Sequence, residues 1–308
     1  MIYINYIAYF VSHTILLWLL NNTPVQGVTI IHEKVTAQDF VHLGIEQIQL
    51  HDYSEAFEAF DHAIQLNPNF ANAYRSRCWL SVQTNHFDQA LKDCDKAISL
   101  NNNDIESYLN LGISYYRVKN FDTAIAVYNQ LIQRHPQESR AYYNRALILM
   151  ETQDYLTAIS DYNQALSVSQ KLEDAELAEI YTDRGIAYLF TQKPSKAMSD
   201  FSQAITLNPM NPRAYYNRGC TCHHQGNFDN AMHDFNTVLS LDPFYAQAYL
   251  SRGKLYQQQA LYAKALTDFN QAAQRFLRQD NQEAYLQTLA LIQALQQWLV
   301  SGDITVLT

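Results

Sequence analysis

The sequence has little of what several functional classes need. Its 308 residues include only 8 glycines and 4 cysteines, and 21 lysines and arginines stand against 30 aspartates and glutamates. The net charge of −9 argues against nucleic acid as a partner, because nucleic-acid binding needs a basic face. No glycine-rich loop follows a strand-like segment, and no nucleophile stands in a recognisable arrangement with a base. We therefore predict a protein without enzymatic activity or cofactor.

What the sequence does contain is an internal repeat. An aromatic residue recurs at intervals of 34 residues, with one interval of 39. A fixed period of this size indicates a stack of small similar units rather than one globular core. The residues that head the seven copies are Phe40, Tyr74, Tyr108, Tyr142, Tyr181, Tyr215 and Tyr249.

Each copy has the pattern of two helices joined by a short turn. In the copy from Pro212 to Pro243, apolar or small residues recur at steps of three and four on both sides of the turn dipeptide Gly226-Asn227. One such pair cannot bury both of its apolar faces, so neighbouring pairs must stack. Small residues on both helices allow close approach: Gly44 with Ala56, Gly112 with Ala124, Ala146 with Ala158, Gly185 with Ala197, Gly219 with Ala231, and Gly253 with Ala265.

This pattern resembles the tetratricopeptide repeat (TPR) family. The heading tyrosine, the small residue four positions later, the alanine and the closing Asn-Pro fall at the spacing of that family. The resemblance covers residues 37–273 as seven repeats and implies an all-α, right-handed α-solenoid whose inner face is built by the first helix of each pair. A C-terminal capping helix and tail, 274–308, would follow. Five extra residues between the fourth and fifth repeats are predicted to lengthen a helix, because segment 171–179 has a helical pattern.

Two positions of the repeat change together. Five repeats carry an arginine three residues after the heading tyrosine and an aspartate on the second helix. The first and third repeats hold Leu43 with Ala59 and Leu111 with Val127 instead. Co-varying positions suggest contact, so we predict structural bridges between the two helices of one repeat rather than a site for an acidic ligand. The predicted bridges are Arg77–Asp93, Arg145–Asp161, Arg184–Asp200, Arg218–Asp234 and Arg252–Asp268.

The first helix of each pair carries a second stripe, at one, five and eight residues after the heading position. This stripe points away from the second helix, and in a TPR-like stack it lines the concave groove. About half of its residues are expected to pack neighbouring helices together, and the rest suit an amphipathic helix or an extended apolar peptide of a partner protein. The predicted groove residues are Arg75, Trp79, Leu109, Ile113, Tyr116, Tyr143, Leu147, Met150 and Tyr216. We therefore predict a non-enzymatic interaction scaffold or assembly factor.

One more specific partner is disfavoured. TPR proteins that hold the C-terminal carboxylate of chaperones use a clamp of lysine, asparagine and arginine across three repeats. Arg140 with Asn144 and Arg213 with Asn217 match fragments of that clamp, but the neighbouring repeat offers Asp183 instead. The clamp is incomplete, and the acidic balance of the chain favours basic or neutral partners.

The cysteines allow two further interpretations. Cys220, His223 and His224 could face one side of a helix, and a thiol- or metal-dependent role around them is the alternative function. Three ligands from a single helix make a weak zinc site, so we predict no bound metal. Cys78 and Cys94 occupy the small-residue and aromatic positions of the second repeat and are expected to be core thiols. They lie on facing helices, and an oxidising compartment could pair them if the geometry allowed.

The first 22 residues contain no aspartate, glutamate, lysine or arginine. The apolar run 2–20 has about the length of a membrane-spanning helix, and its tyrosines and tryptophan suit interfacial ends. We therefore expect a membrane-associated protein in which residues 23–36 link an N-terminal anchor, 1–22, to the repeats. A cleaved signal peptide leading to secretion or the periplasm is the first alternative, although no basic residue precedes the apolar run. A segment without a targeting role, in a cytoplasmic protein, is the second.

Overall fold

The computed structural model describes residues 35–169 and 172–301, which form fifteen α-helices and no strand. The first fourteen make seven pairs, in each of which a first helix (A) packs on a second (B). The all-α solenoid predicted from the repeat is thereby confirmed. The pairs are α1 (Ala37–Gln49) with α2 (Tyr53–Leu66), α3 (Ala71–Gln83) with α4 (Phe87–Leu100), α5 (Ile105–Arg117) with α6 (Phe121–Arg134), α7 (Ser139–Glu151) with α8 (Tyr155–Ser167), α9 (Asp174–Phe190) with α10 (Pro194–Leu207), α11 (Pro212–His224) with α12 (Phe228–Leu241), and α13 (Ala246–Gln258) with α14 (Tyr262–Arg278).

The turns between A and B helices follow one scheme. Each A helix is followed by a residue with positive φ two positions after its last residue, and only in the sixth pair is that residue a glycine, Gly226 at 76°. Such a left-handed residue satisfies the last carbonyl groups of a helix and redirects the chain. Short polar side chains then cap several helix starts: Asp52, Asn120, Asp154 and Asn227 each accept a hydrogen bond from the backbone three residues on.

The packing of A against B depends on an aromatic ring of the B helix. Six B helices carry a Phe or Tyr ring that lies fully buried under the small residue of the A helix. A Cβ added to Gly185 would lie 2.5 Å from Cε1 of Phe201, so a side chain there would displace the ring. The small position therefore makes room for a ring as well as for the facing alanine. The six rings are those of Phe60, Tyr128, Tyr162, Phe201, Phe235 and Phe269.

The second pair differs at this contact. Cys78 and Cys94 take the small and the aromatic position, both are fully buried, and their Cα atoms are 5.3 Å apart. The sequence predicted two core thiols. Both side chains are in the core, but they are joined in a disulfide bond.

The stack curves so that the A helices lie on its inner side. Most neighbouring A helices contact one another across repeats, whereas B helices of the described residues make no contacts of that extent with each other. Helices that touch on one side and diverge on the other produce a concave A surface and a convex B surface. The groove predicted from the sequence is therefore the A-helix surface.

Two helices are longer than their counterparts in the other repeats. Helix α9 has 17 residues, where every other A helix has 13, and the extra turn begins at Asp174, within the segment predicted to be helical. Helix α14 also has 17 residues and ends at Arg278, past the boundary at residue 273 that the repeat period suggested. The last helix, α15 (Gln282–Ser301), covers α14 with Ile292 and Leu295, which are buried. This contact gives α15 the place of the predicted capping helix.

The predicted anchor, 1–22, lies outside the described residues, as does most of the linker 23–36. Among the helices that are described, none combines the length and the apolar character needed to cross a membrane.

Candidate partner-binding groove

Five arginines of the A helices join each pair through two parallel hydrogen bonds. In the fifth repeat, Nε and Nη2 of Arg184 donate to the two carboxylate oxygens of Asp200 at 2.8 and 2.7 Å. The bonds in the other four repeats are 2.6–2.9 Å long, and all five aspartates are buried. The five pairs in contact are Arg77–Asp93, Arg145–Asp161, Arg184–Asp200, Arg218–Asp234 and Arg252–Asp268.

The same arginines also reach a third helix, a contact absent from the sequence analysis. The Nη1 atom of each donates to a side-chain oxygen on the B helix of the preceding repeat. Each guanidinium also lies 5.2–5.9 Å from the ring of its own heading tyrosine. All three guanidinium nitrogens therefore donate inside the stack, and these arginines do not face the groove. The third-helix partners, in chain order, are Asp61, Asn129, Asn163, Ser202 and Asn236.

A row of apolar side chains runs along the concave surface on the first five A helices. Each row residue stands five positions after the heading aromatic residue and stays exposed or half-buried. Trp79 is 39% exposed and its neighbour Ile45 is 42% exposed. In the last two repeats the position holds Cys220 and Lys254, so the row ends there. We call this set the apolar row: Ile45, Trp79, Ile113, Leu147 and Ile186.

Other predicted groove residues are occupied within the fold. Leu109 is only 5% exposed and belongs to a core cluster, so it is not open to a partner. The position one residue after the heading aromatic faces the adjacent A helix, which explains why Leu109 is buried. Tyr116 and Met150 are half-buried against core clusters, and Arg75 pairs with Asp104 at 3.4 Å.

Tyr143 and Tyr216 are half-buried through contacts with the next repeat. The Tyr143 hydroxyl donates to Oδ2 of Asp183 at 2.8 Å. Burial, together with the charge of Asp183, raises the pKa of Tyr143, which keeps the hydroxyl protonated as a donor. The Tyr216 ring packs on Tyr245, 5.1 Å between centroids, and its hydroxyl is 3.4 Å from Oγ of Ser251.

Both arginines of the incomplete clamp are held by carboxylates of the protein itself. Arg213 donates to Glu179 at 2.6 Å and to Asp183 at 2.5 Å. Arg140 donates to Glu106 at 2.8 Å and to Glu138, two residues before it in the chain, at 2.7 Å. Each guanidinium thus meets two carboxylates, and each group carries net negative charge. A carboxylate ligand would have to displace these partners, so the groove is not built as a carboxylate clamp.

The structure does not bring Cys220, His223 and His224, the residues of the alternative thiol or metal role, together at one point. Nε2 of His223 is 2.7 Å from Oε1 of Gln258, and His224 is exposed on the open pocket that Cys220 also lines. Burial raises the pKa of the Cys220 thiol, which makes it a poor nucleophile and a poor metal ligand. In the part of the chain that is described, no three His, Cys, Asp or Glu side chains converge on one point.

Sequence profiles of a known family match most of the repeats. Profiles of the tetratricopeptide repeat match residues 40–70, 81–148, 137–210 and 212–245. No curated protein matches the chain in sequence.

Solved structures share the fold at low sequence identity. A tetratricopeptide repeat protein from Parabacteroides merdae ATCC 43184 aligns with a TM-score of 0.64 and 20% identity, over 82% of this chain and 98% of that one. The pilF protein of Pseudomonas aeruginosa aligns with 0.59 and 18%, over 71% and 96%. YrrB, described as a TPR protein with an unusual peptide-binding site, aligns with 0.50 and 22%, over 64% and 97%. The chain belongs to the tetratricopeptide repeat family, whose fold serves protein–protein interaction and is generally not catalytic.

Proposed function

We propose that the protein is a scaffold that binds an apolar segment of a partner protein along the concave groove. The observation that carries the proposal is the apolar row, in which five successive A helices present an apolar side chain that is exposed, as Ile45 and Trp79 are, or half-buried, as the other three are. Ile186 also packs against a core cluster, so the more exposed end of the row is at Ile45 and Trp79. Trp79 is its natural anchor, because a partly exposed aromatic residue gains more from burial at an interface than the smaller residues beside it.

The spacing of the row suits a regular partner segment. Packed helices lie about 8–10 Å apart, so successive row residues have roughly that separation. A helix repeats a side chain on the same face after seven residues, which is about 10 Å along its axis. An extended peptide in the polyproline II conformation repeats a side chain on the same face after three residues, which is about 9 Å. Both kinds of segment can therefore place one apolar side chain against each A helix.

The charge of the groove surface indicates which kind of partner segment fits it. Glu106 and Glu179 are about half exposed on the concave side, and each shares its arginine with another carboxylate. A basic or neutral segment fits this surface better than an acidic one. YrrB, with its peptide-binding site on a related fold, supports a peptide as the class of ligand.

Replacing Trp79 with alanine should greatly weaken partner binding without unfolding the protein. We expect proteins captured from the host by the wild-type chain to be reduced at least tenfold with Trp79→Ala. Leu156→Ala is the matched control, because Leu156 is an apolar residue of a B helix that is 66% exposed on the convex side. Partners lost equally from both variants, or kept by both, would contradict groove binding. Equal melting temperatures of the two variants establish that a loss is local.

The apolar run 2–20 motivates a second part of the proposal, that the scaffold is tethered to a membrane. We expect the full chain to remain in the membrane fraction after washing at alkaline pH, and a chain that starts at residue 23 to be released. Release of both would argue against an anchor. A shortened full-length product in a secreted or periplasmic fraction would point to a signal peptide.

A further inference from the structure

The second repeat replaces both partners of the packing contact that holds every other pair together. In the other six repeats a glycine or alanine on the A helix packs against a buried ring on the B helix. In the second repeat both partners are cysteines, Cys78 and Cys94. Their Cα atoms are 5.3 Å apart, within the range that a disulfide bond spans.

Neither change suits the contact by itself. A Cβ on the glycines of this position would lie 2.4–2.9 Å from the ring, and the largest residue found opposite a ring is Ala146. A cysteine adds a sulfur to that Cβ, so it would displace the ring. A cysteine opposite a glycine would leave the space of the ring empty, which is costly in a close-packed core. The two cysteines together fill the space through a bond between their sulfurs. The paired change in one repeat of seven therefore points to a covalent link rather than to two separate thiols.

We propose that the repeats fold in an oxidising compartment, where the Cys78–Cys94 disulfide bond forms and then persists in the working protein. The oxidant required is a protein or small-molecule disulfide. The thiolate of one cysteine attacks that disulfide, its S–S bond breaks, and one oxidant thiol leaves. The second cysteine, as a thiolate, then attacks the mixed disulfide and expels the other oxidant thiol. Two protons and two electrons pass from the protein to the oxidant, which ends as two thiols.

Burial sets the order of events. Both sulfurs are inaccessible in the finished fold, so exchange with an oxidant must take place before the second helix pair closes. The same burial protects the finished bond from reductants in the folded protein. Disulfide bonds persist outside the reducing cytosol, and an N-terminal anchor or signal segment at 2–20 would deliver the chain there. The inference stands apart from groove binding, since it concerns the second helix pair and its compartment.

The bond can be tested by trapping thiols in the full-length protein isolated from its host. The protein is unfolded without reductant in the presence of an alkylating agent, then digested and analysed by mass spectrometry. We expect a linked peptide that joins Cys78 to Cys94 and alkylation only at Cys220 and Cys222. Cys220 and Cys222 serve as internal controls, because residues two apart on one helix point away from each other. Alkylation of Cys78 and Cys94 before reduction would overturn the proposal.

A variant that restores the common contact gives an independent measurement. Cys78→Gly with Cys94→Phe reproduces the glycine and ring found in repeats one, five, six and seven. Refolding under reducing conditions should lower the melting temperature of the wild-type chain by roughly 5–10 °C. The restored variant should melt at the same temperature with and without reductant. An unchanged wild-type melting temperature would contradict a stabilising bond, and the peptide mapping decides the matter even if the variant does not fold.

Discussion

Asp200→Ala should destabilise the repeats by about 3–5 kcal/mol, because it leaves the guanidinium of Arg184 partly buried without its counter-ion. The Arg184 side chain is 16% exposed and that of Asp200 only 7%. Burial alone would lower the pKa of Arg184, but its hydrogen bonds to Asp200 and the charge of Asp200 outweigh this and raise it. The ordinary pKa of a guanidinium lies far above neutral pH, so Arg184 stays charged even when Asp200 is removed. Urea unfolding of the full chain, compared with wild type, measures the loss.

Removing both charges should cost much less than removing one. Arg184→Leu with Asp200→Val gives the fifth repeat the residues that the third repeat already carries, where Leu111 and Val127 are both buried. The double variant still loses the bond from Arg184 to Asn163 and the contact with the Tyr181 ring, so some destabilisation remains. Equal losses of stability in the single and double variants would contradict this account, because they would mean that leaving Arg184 unpaired costs no more than removing both charges.

Phe201→Ala should be similarly damaging, for a different reason. The ring is fully buried, and the residue above it is Gly185, which has no side chain that can move into the vacated space. A cavity of this kind typically costs about 3–5 kcal/mol. Because each repeat contacts mainly its neighbours, the loss should separate the array into two halves around the fifth repeat. Thermal unfolding followed by circular dichroism should then show a broadened transition with an earlier onset.

Phe190→Ala is the control for that loss. Phe190 belongs to the same repeat and stacks on Tyr155 at 4.5 Å, but it is 58% exposed. Removing it forfeits an exposed ring pair, worth about 1 kcal/mol. Losses of equal size in the two variants would mean that the ring beneath the glycine does not determine how the helices of a pair pack.

The repeats and their helices were predictable because the chain contains its own alignment. Seven copies at one period indicate which residues face the partner helix, and the joint change of arginine and aspartate singles out one contact among many. That contact lies within one repeat, so it depends only on the geometry of a helix pair. The hydrogen bonds from the same arginines to the B helix of the preceding repeat could not be predicted in this way, because their acceptors vary between aspartate, asparagine and serine.

Features that depend on how repeats stack could not be derived in the same way. Leu109 has the position of a groove residue, yet the approach of the neighbouring A helix buries it. Arg213 takes its partners Glu179 and Asp183 from the preceding A helix, so the pairing depends on how neighbouring A helices approach each other. The bond between Cys78 and Cys94 depends on a distance of 5.3 Å between two backbones, which a residue pattern does not specify.

We propose that the differences between the copies, rather than the repeated residues, determine which partner binds. The arginines, rings and small residues recur because each helix pair needs them, and the structure uses them internally. The residues of the apolar row change in size from repeat to repeat, from Trp79 to Ile113 and Leu147, and the row ends before Lys254. A partner segment would then be selected by how well its side chains match the sizes of the row residues, in order, along the groove.

Site-specific photocrosslinking in the host tests groove binding most directly. A photoreactive phenylalanine analogue is placed at Ile45 or Ile113 in the apolar row, or at Leu156 on the convex surface as the matched control. The proposal predicts that both groove positions yield an adduct of the same mass with one partner and that Leu156 yields none. An adduct formed only from Leu156, or no adduct from either groove position while the partner still co-purifies with the chain, would contradict it.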